Sequence, residues 1–351
     1  MKFQDIFFNS KGRPRSGWRL FVFVFLFINA MAFAEALVRI PFGGQEEARR
    51  FFASIRGDAT GRVILLLIAT GLGWLCGRLM EGLPFRALGW ALHRRWLRDL
   101  LVGSLVGAAS LLLAVAIAVL FGGYTFAFAP VSVLPSVLQT LVLAAGFFVI
   151  AGAAEEVLLR GYPLQTLLRS LPAWVPLVLT ALFFSLGHLG NPNVVPGFTF
   201  VNTMLAGVWL AVAYLRTRSL WFPVGVHWAW NWSLGALFGL PVSGITMLSH
   251  RSLIQTSDRG PAWLTGGAYG IEGGAACTLA LILSTVYIWR TRLVQADPEM
   301  KRLTDEEIPL PALQKRAPDA AATKEETEEK EETEAHEAGE TQSLRRDSAE
   351  S

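Results

Sequence analysis

Residues 155–160 read Glu-Glu-Val-Leu-Leu-Arg at the end of a long apolar run, and two more polar pairs follow on apolar backgrounds: Phe184 with His188, and His227 with Asn231. Taking two adjacent carboxylates out of water costs several kcal/mol per ion unless charge partners or a function compensate. Glu156 and Arg160 are four residues apart and can pair along one helical face, whereas Glu155 points about 100° away, toward another helix. His227 and Asn231 likewise share a face, and Phe184 sits one turn from the His188 imidazole. A carboxylate in a low-dielectric cavity can take a proton from water and deliver it later to a leaving amine. His188 can hold that water, while His227 and Asn231 can donate to the oxygen that turns negative at a tetrahedral centre. The chemistry this set suits is hydrolysis of an amide by activated water. A second route uses the same atoms: His188, His227 and one glutamate as ligands of a divalent metal such as zinc, with the other glutamate as base. The residues alone leave the cofactor as none or such a metal. The His-Glu-x-x-His, Gly-x-Ser-Gly and Gly-x-Gly-Asp signatures of other protease classes are absent.

Such groups need helices to position them. The 351 residues are 52% hydrophobic with a mean hydropathy of +0.42, which excludes an ordinary soluble domain. Eight stretches, near 18–37, 62–81, 99–121, 136–158, 173–190, 198–215, 220–239 and 273–291, are apolar enough to cross a bilayer. Unbroken runs such as Leu-Leu-Leu-Ala-Val-Ala-Ile-Ala-Val-Leu do not alternate, so a barrel is excluded. The expected fold is all-α: a polytopic membrane protein with about eight transmembrane helices and a disordered acidic C-terminal tail. Residues 1–135 hold the first three helices, 136–240 a core of four helices with all three motifs, 241–295 a loop and the eighth helix, and 296–351 the tail. The first apolar stretch reads as a transmembrane helix rather than a cleaved leader, because it is long and lacks a small-residue cleavage site. A hairpin of the fourth and fifth spans turning near Leu171 and Pro172 places Glu155 and His188 level, each about 25 Å from the tip. Pro163 should interrupt the helix after Arg160.

Charge is divided. The formal +3 combines about +12 over the membrane part with −9 over residues 297–351, where 17 acidic residues face 8 basic ones. That tail has little to bury, which favours a solvated segment. Sixteen Lys and Arg fall on the side of the spans that carries residues 1–17 and seven on the other, so both termini are expected in the cytoplasm, most simply at the plasma (inner) membrane. Cys76 and Cys277 lie in apolar segments without metal-ligand spacing and read as small core residues.

The ordered set Glu155-Glu156-x-x-x-Arg160, Phe184-x-x-x-His188 and His227-x-x-x-Asn231, with the flanking Arg-Gly-Tyr-Pro-Leu and Ser-Leu-Trp-Phe-Pro-Val-Gly-Val-His, resembles the CAAX protease and bacteriocin-processing family, which includes type II CAAX prenyl endopeptidases. The resemblance covers the fourth to seventh spans. It implies an intramembrane endopeptidase whose site opens toward the cytoplasmic half of the bilayer. Glu155 would activate water, with Glu156 and Arg160 as its motif neighbours. His188 would be a second water-holding or metal-binding group, and His227 with Asn231 the oxyanion side. Expected partners are the lipid bilayer and a membrane-associated peptide or protein substrate, with no nucleic acid. A non-catalytic scaffold or bacteriocin-immunity protein that binds through the same polar cavity is the competing reading. A proton-coupled transporter is disfavoured, because no internal repeat is visible.

Overall fold

A computed structural model describes residues 4–9, 12–42 and 44–305. The chain divides after Glu306, and the second unit, Glu307–Ser351, lies outside the described residues, so the expectation for most of the acidic tail lies there too.

The described residues are predominantly helical. In chain order they form α1 (Gln4–Phe7), α2 (Ser16–Arg39), α3 (Gln45–Phe52), α4 (Ile55–Glu81), α5 (Trp96–Leu120), β1 (Tyr124–Phe128), α6 (Leu134–Arg160), α7 (Tyr162–Leu168), α8 (Trp174–His188), α9 (Phe198–Thr217), α10 (Trp221–Trp232), β2 (Ile254–Asp258), α11 (Ala262–Thr265), α12 (Ala275–Arg290) and α13 (Pro298–Asp305). A helix lies in each of the eight expected ranges. Five segments are long and apolar enough to cross a bilayer: α2, α4, α5, α9 and the stretch Val131–Leu168. α8, α10 and α12 have 15, 12 and 16 residues. At about 1.5 Å per residue they rise less than the roughly 30 Å hydrocarbon core, so a count of eight full spans is not reached on length. One feature departs from an all-α fold. β1 and β2 pair antiparallel, Tyr124 opposite Asp258 through Phe128 opposite Ile254, as a two-stranded ribbon.

The helices that carry the motifs are fixed by close backbone approaches. α10 packs along α5, and α6 lies between α4 and α10. Gly103 and Gly107, spaced as Gly-x-x-x-Gly in an apolar helix, let α5 touch the α10 backbone. A Cβ on Gly107 would stand 2.1 Å from the carbonyl oxygen of Val226, the residue before His227. α6 ends at Arg160, Gly161 leaves helical geometry, and α7 restarts at Tyr162 with Pro163 in its first turn, as the sequence predicted. α8 packs chiefly on α9 rather than forming a close hairpin with α6.

One end of the bundle is tied by arginines. Glu81, 1% exposed, accepts from Arg19 Nη1 at 2.6 Å, Arg169 Nε at 2.8 Å and Arg169 Nη2 at 2.9 Å. Burial alone would lower the affinity of Arg169 for its proton, but the Glu81 carboxylate reverses this and raises it above the ordinary value. Arg169 also donates to Leu303 O at 3.2 Å, and Arg218 pairs with Asp305 at 2.9 Å. These contacts hold α13, whose Met300 and Leu303 are buried. Residues 298–305 are therefore an ordered helix inside the stretch expected to be disordered. The opposite end carries the ribbon and the loops around residues 191, 243 and 272, where Asn191 donates to Ser243 O and Asn202 to Glu272 O.

Candidate active site

The site residues occupy positions their local sequence dictates. Glu155 and Glu156 fall in the last turn and a half of α6, His188 ends α8, and His227 and Asn231 lie in the second half of α10. Consecutive glutamates on one helix must diverge, and they do. Glu156 is fully buried and accepts from Arg160 Nη1 at 3.3 Å, while Arg160 Nη2 donates to Gly207 O at 2.8 Å on α9. Glu155 keeps 19% of its side-chain surface and faces α4, where Arg62 Nη1 donates to its Oε1 at 2.5 Å.

His227 bridges the two carboxylates. Its Nδ1 lies 2.9 Å from Glu156 Oε1 and its Nε2 lies 3.8 Å from Glu155 Oε2. The Glu156 carboxylate accepts the Nδ1 proton, which leaves Nε2 directed to the second carboxylate. His188 Nδ1 is 2.7 Å from Phe184 O, and a carbonyl can only accept, so Nδ1 carries the proton and Nε2 is the lone-pair nitrogen. Phe184 packs on both imidazoles, with ring centroids 4.5 Å from His188 and 6.0 Å from His227, and the Arg160 guanidinium sits 5.1 Å over the same ring.

Glu155, His188, His227 and Asn231 line one cavity of about 90 Å³. The structure brings these four together, with Glu156 and Arg160 behind them rather than in the wall. Three further wall residues had been passed over. Arg62 and Asp58, four apart and 3.3 Å from each other, enter from α4, and Glu272 enters from the loop before α12. The Asp58/Arg62 spacing was visible in the sequence, but Asp58 fell just before the expected span 62–81 and Arg62 at its first residue, so the pair straddled that boundary. Glu272 accepts from Trp230 Nε1 at 2.9 Å and from Ser243 N at 2.6 Å, contacts between distant segments that no local pattern foretells.

Among the described residues no group of three or more His, Cys, Asp or Glu is gathered closely enough to hold a metal ion. Glu155 Oε1 is engaged by a guanidinium and His227 Nδ1 by Glu156, so the donor set as arranged does not fit a His-His-Glu cage.

Residues 136–233, from α6 to the end of α10, match the family model described as type II CAAX prenyl endopeptidase Rce1-like. This segment is similar to the CAAX protease family. Comparisons with curated proteins and with solved structures gave no match. All three motifs fall inside the matched segment. Asp58, Arg62 and Glu272 lie outside it and belong to this chain's own surroundings of the family core.

Proposed function

We propose that the protein is an intramembrane endopeptidase that cleaves a peptide bond of a membrane-associated peptide or protein with water activated by Glu155. The supporting observation is the placement of Glu155 Oε2 3.8 Å from His227 Nε2 in a cavity that His188 also lines. Water held between Glu155 Oε2 and the lone pair of His188 Nε2 loses its proton to the carboxylate as it attacks the carbonyl carbon. His227, fixed by Glu156 and in its protonated form a donor at Nε2, stands with the Asn231 amide where an oxyanion develops. Glu155 then hands its proton to the departing amine. Arg62 holds one carboxylate oxygen, which aims the other at the water; it acts through Glu155 and is a positioning residue. The scheme routes no step through a metal. Both termini lie in the cytoplasm on this reading, from the distribution of basic residues.

The test is cleavage of a membrane-anchored peptide by the purified protein in detergent, read by mass spectrometry with and without chelator. Product in both samples is expected. Loss on chelation with recovery on adding zinc would transfer the water activation to a metal, and a cavity that binds the peptide yet never yields product would make the protein a scaffold.

A further inference from the structure

Among the described residues, the charged side chains of the cavity wall have partners of opposite charge, with one exception. Arg62 serves two carboxylates, Asp58 at 3.3 Å and Glu155 at 2.5 Å. His227 lies between Glu155 and Glu156. Glu272, half-buried in the same wall, is held by neutral donors alone. Its Oε1 accepts from Trp230 Nε1 at 2.9 Å, and its Oε2 accepts from Ser243 N at 2.6 Å and Ser243 Oγ at 3.2 Å. A carboxylate offers about four acceptor sites, so one stays open, on Oε1.

The place of this carboxylate is fixed from both sides. Asn202 Nδ2 donates to the backbone oxygens of Glu272 at 2.8 Å and Gly274 at 2.9 Å, which pins the loop before α12. Trp230 ties the side chain to α10 three residues after His227, a rise of about 4.5 Å. An extended peptide advances about 3.3 Å per residue, so a long side chain within about three residues of a bond held at His227 can meet Glu272. Residues such as Phe148, Leu210 and Leu281 make much of the remaining wall apolar. A carboxylate with only neutral partners in such a wall carries a desolvation cost that a cation brought by a ligand offsets. The few charged groups of an apolar pocket decide which ligand it takes. We propose that Glu272 is a specificity-determining residue that receives a lysine or arginine side chain, so that the substrate class is a membrane-tethered peptide with a basic residue near the scissile bond. The word substrate rests on the protease reading above, and the cation subsite rests on Glu272 and its donors. The competing role is structural, because the same bonds hold the turn at Ser243, whose φ of 47° lies in the left-handed region.

The test is binding of fluorescent membrane-anchored peptides to the full-length protein in detergent, in the Glu155→Gln background so that none is cleaved. A single lysine is moved residue by residue along a neutral segment, with methionine and acetyl-lysine counterparts at each position. At the best position lysine should bind at least about tenfold tighter than either counterpart, and adding Glu272→Gln should bring that ratio to within about twofold of unity while methionine binding holds. Absence of a lysine preference at every position, absence of any binding included, overturns the proposal. A preference that survives Glu272→Gln overturns it too, and equal weakening of all peptides makes Glu272 a clamp for the Ser243 turn and nothing more. If Glu272→Gln does not accumulate, Glu272→Asp draws the carboxylate back by one methylene and should lower the ratio at least about threefold; an unchanged ratio overturns the proposal. Binding needs no cleavage, so the two readings fail separately. Cleavage by the parent protein without regard to lysine refutes the subsite alone, and lysine-selective binding without product from the parent refutes the protease reading alone.

Discussion

At the scale of the residue, the apolar surroundings of Glu155 and Glu156 are tolerable because each carboxylate has its own cation: Arg62 for the first, Arg160 for the second. The pairing of Glu156 with Arg160 was legible in the sequence, since helical spacing alone brings them together. The pairing of Glu155 with Arg62 was not, because it joins positions 93 residues apart and depends on how α4 slides along α6. If Arg62 aims the carboxylate, Arg62→Ala should lower kcat while leaving KM nearly unchanged, and Arg62→Lys should recover part of the loss. A role confined to stability would instead lower the melting temperature without that split. The cluster at Glu81 behaves differently. Glu81→Ala removes the one carboxylate that two buried guanidinium groups, Arg19 and Arg169, share and should cost about 3–5 kcal/mol, read as a large fall in the melting temperature of the detergent-solubilised protein.

Helix-scale positioning depends on how near α5 allows α10 to come. The Gly-x-x-x-Gly spacing at 103 and 107 could have been read from the sequence as a packing face, whereas its partner could not. Gly107→Ala puts a methyl group into the backbone at Val226 and must move His227 or unfold the contact. The expected cost is about 1–3 kcal/mol, with a loss of cleavage larger than that destabilisation explains. The loop between α4 and α5 offers a pH test. Burial holds the His93 imidazole below its ordinary value, Arg95 acting in the same direction and Asp297 opposing it. The unfolded chain therefore binds this proton more readily than the folded protein. Stability should be complete above about pH 6.5 and decline as the pH falls below it. Melting curves across that range should show the decline in the parent protein and a smaller one in His93→Gln.

For the whole molecule, composition and hydropathy were enough to identify a helical membrane protein, and the three motifs directed attention to residues 155–231, which lie inside the segment that the family model matches. What they could not supply was length in three dimensions. α8 and α10 look like spans by hydropathy, yet Gly190 and Pro192 follow the first and a wide helical turn at Ser233–Leu237 ends the second, so both stop short of a full span. The short helix Pro298–Asp305 was concealed for a related reason. Four of its eight residues are charged, and only Met300, Leu303 and Thr304 turn inward. Asp305→Ala removes one partly exposed pair and should shift stability by less than about 1 kcal/mol, leaving cleavage unchanged.

The central claim is that one carboxylate deprotonates the attacking water, and Glu155→Gln addresses it most directly because the amide keeps the shape and loses the base. Parent and variant would be purified in the same detergent, shown to melt alike, and given the same membrane-anchored peptide. The account predicts that the variant loses at least about 10²-fold in cleavage rate. Cleavage by Glu155→Gln at the parent rate would contradict it.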